Sequence, residues 1–328
     1  MTASDGGRTP ADEAPPTEAS VDAVVIGGGP AGLSAALNLA RARATVVVID
    51  AGRPRNAATL RSHGFLTRDG IPPIELRKLA HAELAAYPNV RILERTLAES
   101  IVPADGDGGI RFEVALTGRG AVQLPVVHAR SVVVATGLRE TLPDIADLRS
   151  FYGMSLFSCA ACDAWELQGR PLALIGESDD LADRARLIAR WTDRLTVFTH
   201  GSTAVDAADE AELAALGIAV DRRRITALRG ERGAVAEVAL EGGDAVPIDG
   251  GFVRPEWEPA LDLLRGVAVE RNAAGHLATD RAGRTSVPGL YSAGDAASGP
   301  QQLIVAAGQG ARVAAVLVHD LVGVTTSH

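Results

Sequence analysis

The amino-acid sequence predicts an α/β fold built from two βαβ-type domains, the smaller one inserted into the larger. Three observations carry this. Short continuous apolar runs alternate with stretches of helical periodicity, the pattern of parallel strands with helices packed on the sheet. A strand–turn–helix–strand unit occurs near the N-terminus and again from Leu172. No repeat of solenoid period is present, so the two units are separate domains rather than members of an array.

The elements follow in order. Residues 1–20 (MTASDGGRTPADEAPPTEAS) are polar, acidic and Pro-rich and lack an apolar h-region; they read as a disordered tail and not a secretion signal. Ala23–Ile26 is a short apolar run that opens onto GGGPAG, Leu33–Arg41 is helical, and Thr45–Ile49 is a second buried strand. Arg53–Pro73, with Gly, Pro, Asn and His, reads as a long surface loop, and Ile74–Tyr87 as helix. Between Val90 and Val127 apolar runs alternate with the turns ADGDGG and TGRG, which suggests antiparallel strands. Ser131–Ala135 is a buried strand ending at ATG, and Pro143–Gln168 holds both cysteines. Then come strand Leu172–Ile175, helix Leu181–Trp191, strand Leu195–Phe198, helix Ala207–Leu216 and strand Ile218–Arg223. The last portion ends in strand Gly289–Ser292, a Gly-Asp turn and helix Gln302–Leu321.

Composition narrows the function. At 47% hydrophobic and 22% charged residues the chain is of the folded globular type, and its net charge of −9 offers no footing for nucleic acid or an anionic membrane. Spanning a bilayer takes ~20 apolar residues; the best run, Ala311–Val324, is broken by Arg312, His319 and Asp320. A cytoplasmic location is expected, and in that reducing compartment a lone cysteine pair points to catalysis rather than structure. Lys78 is the sole lysine, which excludes lysine chemistry almost everywhere.

Two motifs carry chemistry. Gly27-x-Gly29-Pro30-Ala31-Gly32 lies between a strand and a helix, and Asp50 closes the next strand. The glycines permit a tight turn and close backbone approach to a pyrophosphate, the helix N-terminus favours its charge, and the acid suits a ribose diol. This is a dinucleotide site, and the two domains are nucleotide-binding, Rossmann-like ones. The second motif is Cys159-Ala-Ala-Cys162-Asp163, which holds the chain's only cysteines. The spacing lets the sulfurs reach bonding distance, and Asp163 can move the proton that thiolate chemistry requires. A zinc half-site would need a second ligand pair that is not nearby, so no metal is expected. Inert core cysteines, and Asp163 as an ordinary helix-start acid, are the structural alternatives.

The trio GGGPAG, ATG-x5-P (Thr136, Gly137) and GLYSAGDA (Gly294, Asp295) resembles the two-dinucleotide-binding flavoproteins. The resemblance implies FAD, with Asp295 on its ribityl chain and the segment from Gln302 to Gly308 running past the isoalloxazine ring. CxxCD inside an inserted domain resembles the low-molecular-weight thioredoxin reductases. That likeness implies an FAD domain of residues 21–143 and 251–328, an inserted domain of 144–250 that rotates against it, and a homodimer. It also implies that Cys162 faces the flavin while Cys159 meets the substrate sulfur.

The chain departs from that family where NAD(P)H should bind. After Leu172–Ile175 stands Gly176-Glu177-Ser178-Asp179-Asp180, three carboxylates where a diphosphate would lie. At ~6 Å and an effective dielectric near 20 each such pair costs about 3 kcal/mol before screening; as helix caps the same acids serve well. Phe198-Thr199-His200-Gly201-Ser202 lacks arginine for a 2′-phosphate, and Arg222, Arg223 and Arg224 read as a solvated face. Trp165-Glu166, Arg55-Asn56-Ala57 and Ser62-His63-Gly64-Phe65-Leu66 resemble the branch of dithiol oxidases of gliotoxin and holomycin biosynthesis, although those carry His after the CxxC where this chain has Asp163. His63 could supply a base or be an ordinary loop histidine. The reading is an FAD-dependent thiol–disulfide oxidoreductase, favoured as the oxidase of a dithiol with oxygen as acceptor. The alternatives are an NAD(P)H-dependent reductase of a thioredoxin-like protein and a non-enzymatic redox sensor.

Overall fold

The structure, a computed structural model, describes residues 18–324. The strand β1 (Glu18–Ile26) turns into helix α1 (Pro30–Arg41), followed by β2 (Val46–Asp50), an irregular segment, α2 (Pro73–Leu84), β3 (Val90–Glu94), β4 (Thr96–Pro103), β5 (Phe112–Gly118) and β6 (Val126–Val134). These strands form one sheet in the order β3-β2-β1-β6-β5-β4. Parallel strands covered on both faces read as unbroken apolar runs, and β1 shows why. Val24 and Ile26 enter one core with Phe112, Val114 and Leu261, while Ala23 and Val25 enter the other with Leu39, Val313 and Leu317.

After β7 (Leu138–Thr141) the chain leaves this sheet through α3 (Leu148–Phe151), β8 (Leu156–Phe157), α4 (Ala160–Asp163), β9 (Leu172–Ile175), α5 (Leu181–Ile188), β10 (Leu195–Phe198), α6 (Ala207–Ala215), β11 (Ala219–Asp221), β12 (Ile225–Glu231), β13 (Ala234–Leu240), β14 (Ala245–Pro247) and β15 (Gly250–Val253). A second parallel sheet has the order β11-β10-β9-β15-β8, and β12-β13-β14 form a third, antiparallel one. Ala173 and Ile175 face the core toward the third sheet; Leu172 and Leu174 face α5 and α6. The chain returns through β16 (Glu256–Pro259), antiparallel to β7, and ends with β17 (Leu290–Ser292), parallel to β6, and α7 (Leu303–Val322).

The structure corrects several expectations. Glu18–Ser20 are not tail but the first residues of β1, in register with Val126–His128; the rest of the expected tail lies outside the described residues. Val90–Glu94 is parallel, because it extends β2 as the sheet's edge after the α2 crossover. A boundary at 250/251 would cut β15, whose Gly250–Val253 pair with Leu172–Ile175. The antiparallel sheet over Ile225–Pro247 is an addition to the elements read from the sequence. By length and apolar composition α7 is the one described helix that could cross a membrane. Here it packs on α1, so closely that a Cβ on Gly310 would lie 2.0 Å from the Ala31 carbonyl oxygen, and its Asp320 bonds Arg284 and Tyr291.

Candidate functional site

Strand order reverses between β1 and β6, and open α/β sheets form a ligand crevice where neighbouring connections diverge at the strands' carboxyl ends. The turns after β1, β6 and β17 meet there. Gly27 has φ +120°, and a Cβ on it would lie 2.2 Å from the Ala135 carbonyl oxygen; one on Gly32 would lie 1.9 Å from the Gly27 carbonyl oxygen. Only glycine lets the β1–α1 turn press against both β6 and its own helix. Pro30 starts α1, where its missing N–H costs nothing.

A cleft of about 180 Å³ results, lined by Gly27, Gly29, Pro30, Ala31, Asp50, Thr136, Gly137, Gly294, Asp295 and Gln302. Every residue expected to touch FAD thus borders it except Gly32, which lies beneath Gly27. Two features fit a dinucleotide. The helix N-terminus presents bare backbone beside the Gly28–Gly29 turn, and the Thr136 hydroxyl is buried in the cleft wall without a hydrogen-bond partner. Asp50 is 4% exposed; its carboxylate accepts from the Gly52 N–H at 2.8 Å and from Arg77. Asp295 accepts from Arg55 at 2.8 Å.

A second cavity of about 390 Å³ adjoins it, sharing Arg55, Asn56, Gln301, Gln302 and Leu303. Its wall contains Cys159 and Cys162, joined as a disulfide, and Asp163. The helical turn α4 makes the bond possible: Cys159 O accepts from the N–H groups of Cys162 and Asp163, both at 3.2 Å, bringing the cysteine Cα atoms to 5.3 Å. Burial pushes the Asp163 carboxyl up to about 7, with Glu166 adding to the rise and His63 opposing it. A carboxyl so placed gives and takes protons at neutral pH. Burial also raises the Tyr152 phenol, with Glu140 contributing and Ser158 opposing, so it stays a neutral donor in the same wall.

The loop after β9 is filled by protein. Asp180 accepts from Ser178 at 2.6 Å, from Arg184 at 2.7 Å and from Arg254 at 3.0 Å. Burial opposes ionisation there, but these bonds from Ser178, Arg254 and Arg184 hold the carboxyl down to about 2. Arg254 lies 4.3 Å from the Trp257 ring centroid, with Arg184 and Arg55 at 5.8 and 5.9 Å, and the Trp257 indole donates to Glu140 at 2.9 Å. Arg222 pairs with Glu210, and Arg223 with Asp221 and Asp244, at the surface. Trp257, Arg254 and Glu140 had no distinguishing sequence signal; they are joined only by the fold.

Residues 21–310 match the family described as Pyridine nucleotide-disulphide oxidoreductase. A thioredoxin reductase homologue named from Arthroderma benhamiae is 31% identical over 192 residues, 58% of this chain and 46% of that protein, so the alignment spans less than half the relative's length. Among solved structures, a Bacillus anthracis protein named as thioredoxin reductase TrxB is 34% identical with TM-score 0.85, covering 92% of this chain and 99% of that one. The structure of HlmI is 35% identical with TM-score 0.84, covering 93% of each chain.

Proposed function

Because the chain belongs to the pyridine nucleotide-disulphide oxidoreductase family, we propose that it is a thioredoxin-reductase-like FAD enzyme that oxidises a dithiol substrate at Cys159–Cys162. The observation that carries this direction is the loop after β9. The cleft and disulfide stand beside a loop after β9 where a pyridine nucleotide phosphate would be expected and where the Asp180 carboxylate is instead matched by Ser178, Arg184 and Arg254. A pyridine nucleotide phosphate would have to displace a carboxylate held by three donors, so NAD(P)H is a poor electron source and a thiol the better one.

In this reading Gly27, Gly29, Pro30, Ala31, Gly32, Asp50, Thr136, Gly137, Gly294, Asp295 and Gln302 hold FAD. Bound there, FAD supplies two-electron chemistry linking the cysteine couple to an acceptor, favoured as oxygen. The protein's own steps are exchanges of sulfur bonds. Asp163 takes the proton of one substrate thiol. The thiolate attacks Cys159, its sulfur bonds to Cys159 while the Cys159–Cys162 bond breaks, and Cys162 leaves as thiolate. The second substrate thiol, deprotonated in turn, attacks the first substrate sulfur and expels Cys159. The substrate leaves as a disulfide, its electron pair now on the two enzyme sulfurs. Tyr152 and Arg55 border this chemistry.

The same reading places the FAD-binding part before residue 143 and from about 255 on, and the disulfide-bearing insert between, with β15 in the insert. A homodimer is part of it, and exposed Leu60, Leu66 and Ile74 give apolar surface for one; light scattering would test that. The direction is tested by anaerobic bleaching of the flavin band with NADPH, NADH or dithiothreitol. Bleaching by dithiothreitol alone, recovering in air, is expected. Faster bleaching by NADPH or NADH would instead make the protein a pyridine-nucleotide-driven disulfide reductase.

A further inference from the structure

The disulfide cavity contains, besides Asp163, a histidine side chain able to accept and donate protons. His63 stands on the irregular segment between β2 and α2, which the structure braces into a compact hairpin. Ser62 N–H donates to Ile71 O at 2.8 Å, Gly70 N–H to Ser62 O at 2.9 Å, and Gly64 N–H to the Asp69 carboxylate at 2.8 Å. The hairpin sets His63 into the wall shared with Cys159, Cys162 and Asp163. Its Nδ1 lies 3.6 Å from both Asp69 Oδ1 and Glu166 Oε1, and its side chain is only 17% exposed. Glu166 sits on the turn that follows α4, so residues from two distant stretches of chain converge beside the disulfide.

We propose that His63 is a positioning residue for proton transfer at the Cys159–Cys162 couple, acting through Asp163, with Asp69 and Glu166 flanking its imidazole. The inference rests on the dithiol-oxidation reading above. Oxidising one dithiol breaks two S–H bonds, moves two electrons onto the enzyme sulfurs and releases two protons. Asp163 can hold one of them at a time, so it must be cleared before the second thiolate forms. An imidazole in the same cavity wall, with two carboxylates 3.6 Å from its Nδ1, is suited to take that proton on. Their charges act on Asp163 in opposite senses: positive charge on His63 lowers its carboxyl and Glu166 raises it, on top of the larger effect of burial. Other charges in the cavity wall are Arg55, Arg61, Glu140 and Arg184.

The test is the anaerobic rate of flavin bleaching by dithiothreitol, expressed per thiolate and followed across pH, for wild type, His63→Gln, Glu166→Gln and Asp163→Asn. The limb absent in Asp163→Asn reports Asp163. His63→Gln is expected to slow bleaching on the order of tenfold, less than the hundredfold or more of a direct acid–base group, and to move that limb to higher pH. Glu166→Gln is expected to move it to lower pH, and free imidazole to restore part of the His63→Gln rate. A structural defect would not move one limb in opposite directions. Infrared titration of the Asp163 carboxyl, read against Asp163→Asn, gives the same shifts without turnover. If His63→Gln retains its flavin, reacts within about twofold of wild type and leaves the limb in place while Asp163→Asn loses activity, the relay is wrong and dithiol oxidation stands. If wild type is not bleached by dithiothreitol, both are wrong. Should His63→Gln misfold, Glu166→Gln decides alone, since an unmoved or upward-shifted limb overturns the proposal.

Discussion

Asp163→Asn separates the proton transfer proposed for this carboxylate from its effect on stability. The folded protein holds this carboxyl up to about 7, against 3.8 for an ordinary one, chiefly through burial. Below the ordinary value both folded and unfolded chains carry the proton and stability is unaffected. Between the two values the folded chain binds a proton that the unfolded chain has lost, so stability falls as pH rises, and the fall is complete above about 7. The full difference corresponds to about 4 kcal/mol, and with solvent reaching the cavity about half that is expected. The amide carries no charge to desolvate. The variant should therefore gain about 1 kcal/mol over wild type between about pH 5 and about pH 8, a relative Tm rise of about 1–2 °C for a chain of this length. Thermal unfolding of the oxidised, flavin-loaded proteins at both pH values measures it. Dithiol-driven bleaching should drop by about a hundredfold or more. A Tm difference that is the same at both pH values would refute the reasoning, since a buried charge must act through pH.

Three other outcomes follow from single contacts. Gly32→Ala puts a methyl 1.9 Å from the Gly27 carbonyl oxygen; neither backbone can yield, so it should lose about 2–4 kcal/mol and purify with little flavin, read by Tm and the visible spectrum. Asp295→Asn removes the charge that Arg55 pairs with at 2.8 Å in the cleft, and flavin retention measured by equilibrium dialysis should weaken about tenfold. Asp180→Ala leaves Arg184 and Arg254 without their shared carboxylate. It should cost about 1 kcal/mol, and added sulfate should recover that loss in Tm for the variant but not for wild type.

Legibility in the sequence followed the range over which each feature is decided. The turn at Gly27–Gly32 and the α4 turn at Cys159–Cys162 are set by neighbours a few residues apart, and both were readable. Strand direction is set by a partner elsewhere, so Val90–Glu94 read as antiparallel although it pairs with Val46–Asp50 in parallel. The sheet over Ile225–Pro247 is hard to read in sequence because its strands are short and their apolar positions are interrupted by Gly and charged residues. At the site, the Arg184–Asp180 bond spans one helical turn and lies within reach of spacing rules, while Arg254 arrives from beyond β15. In the sequence His63 stays open between a base and an ordinary loop histidine, because neither the Asp69 nor the Glu166 proximity has a linear signature; the hairpin closed by Ser62 and Ile71 brings Asp69 to it, and the fold brings Glu166.

The β7–β16 ribbon has a consequence for how the chain folds. Thr141 and Glu256 are cross-strand partners, so the whole stretch between them begins and ends at one place. Ser292 and Val134, which bond across β17 and β6, are 158 residues apart in sequence. Closing so long a loop in an unfolded chain is slow, because the search grows with the separation of the contacting segments. Once the intervening sheets have formed and brought Thr141 beside Glu256, the loop left to close is only about forty residues. The order of assembly then runs from the middle of the polypeptide outward, with β17 and α7 docking last. Pulsed hydrogen exchange should find amides of β9, β10 and β15 protected before those of β17, and simultaneous protection would mean that the ribbon gives no such shortcut.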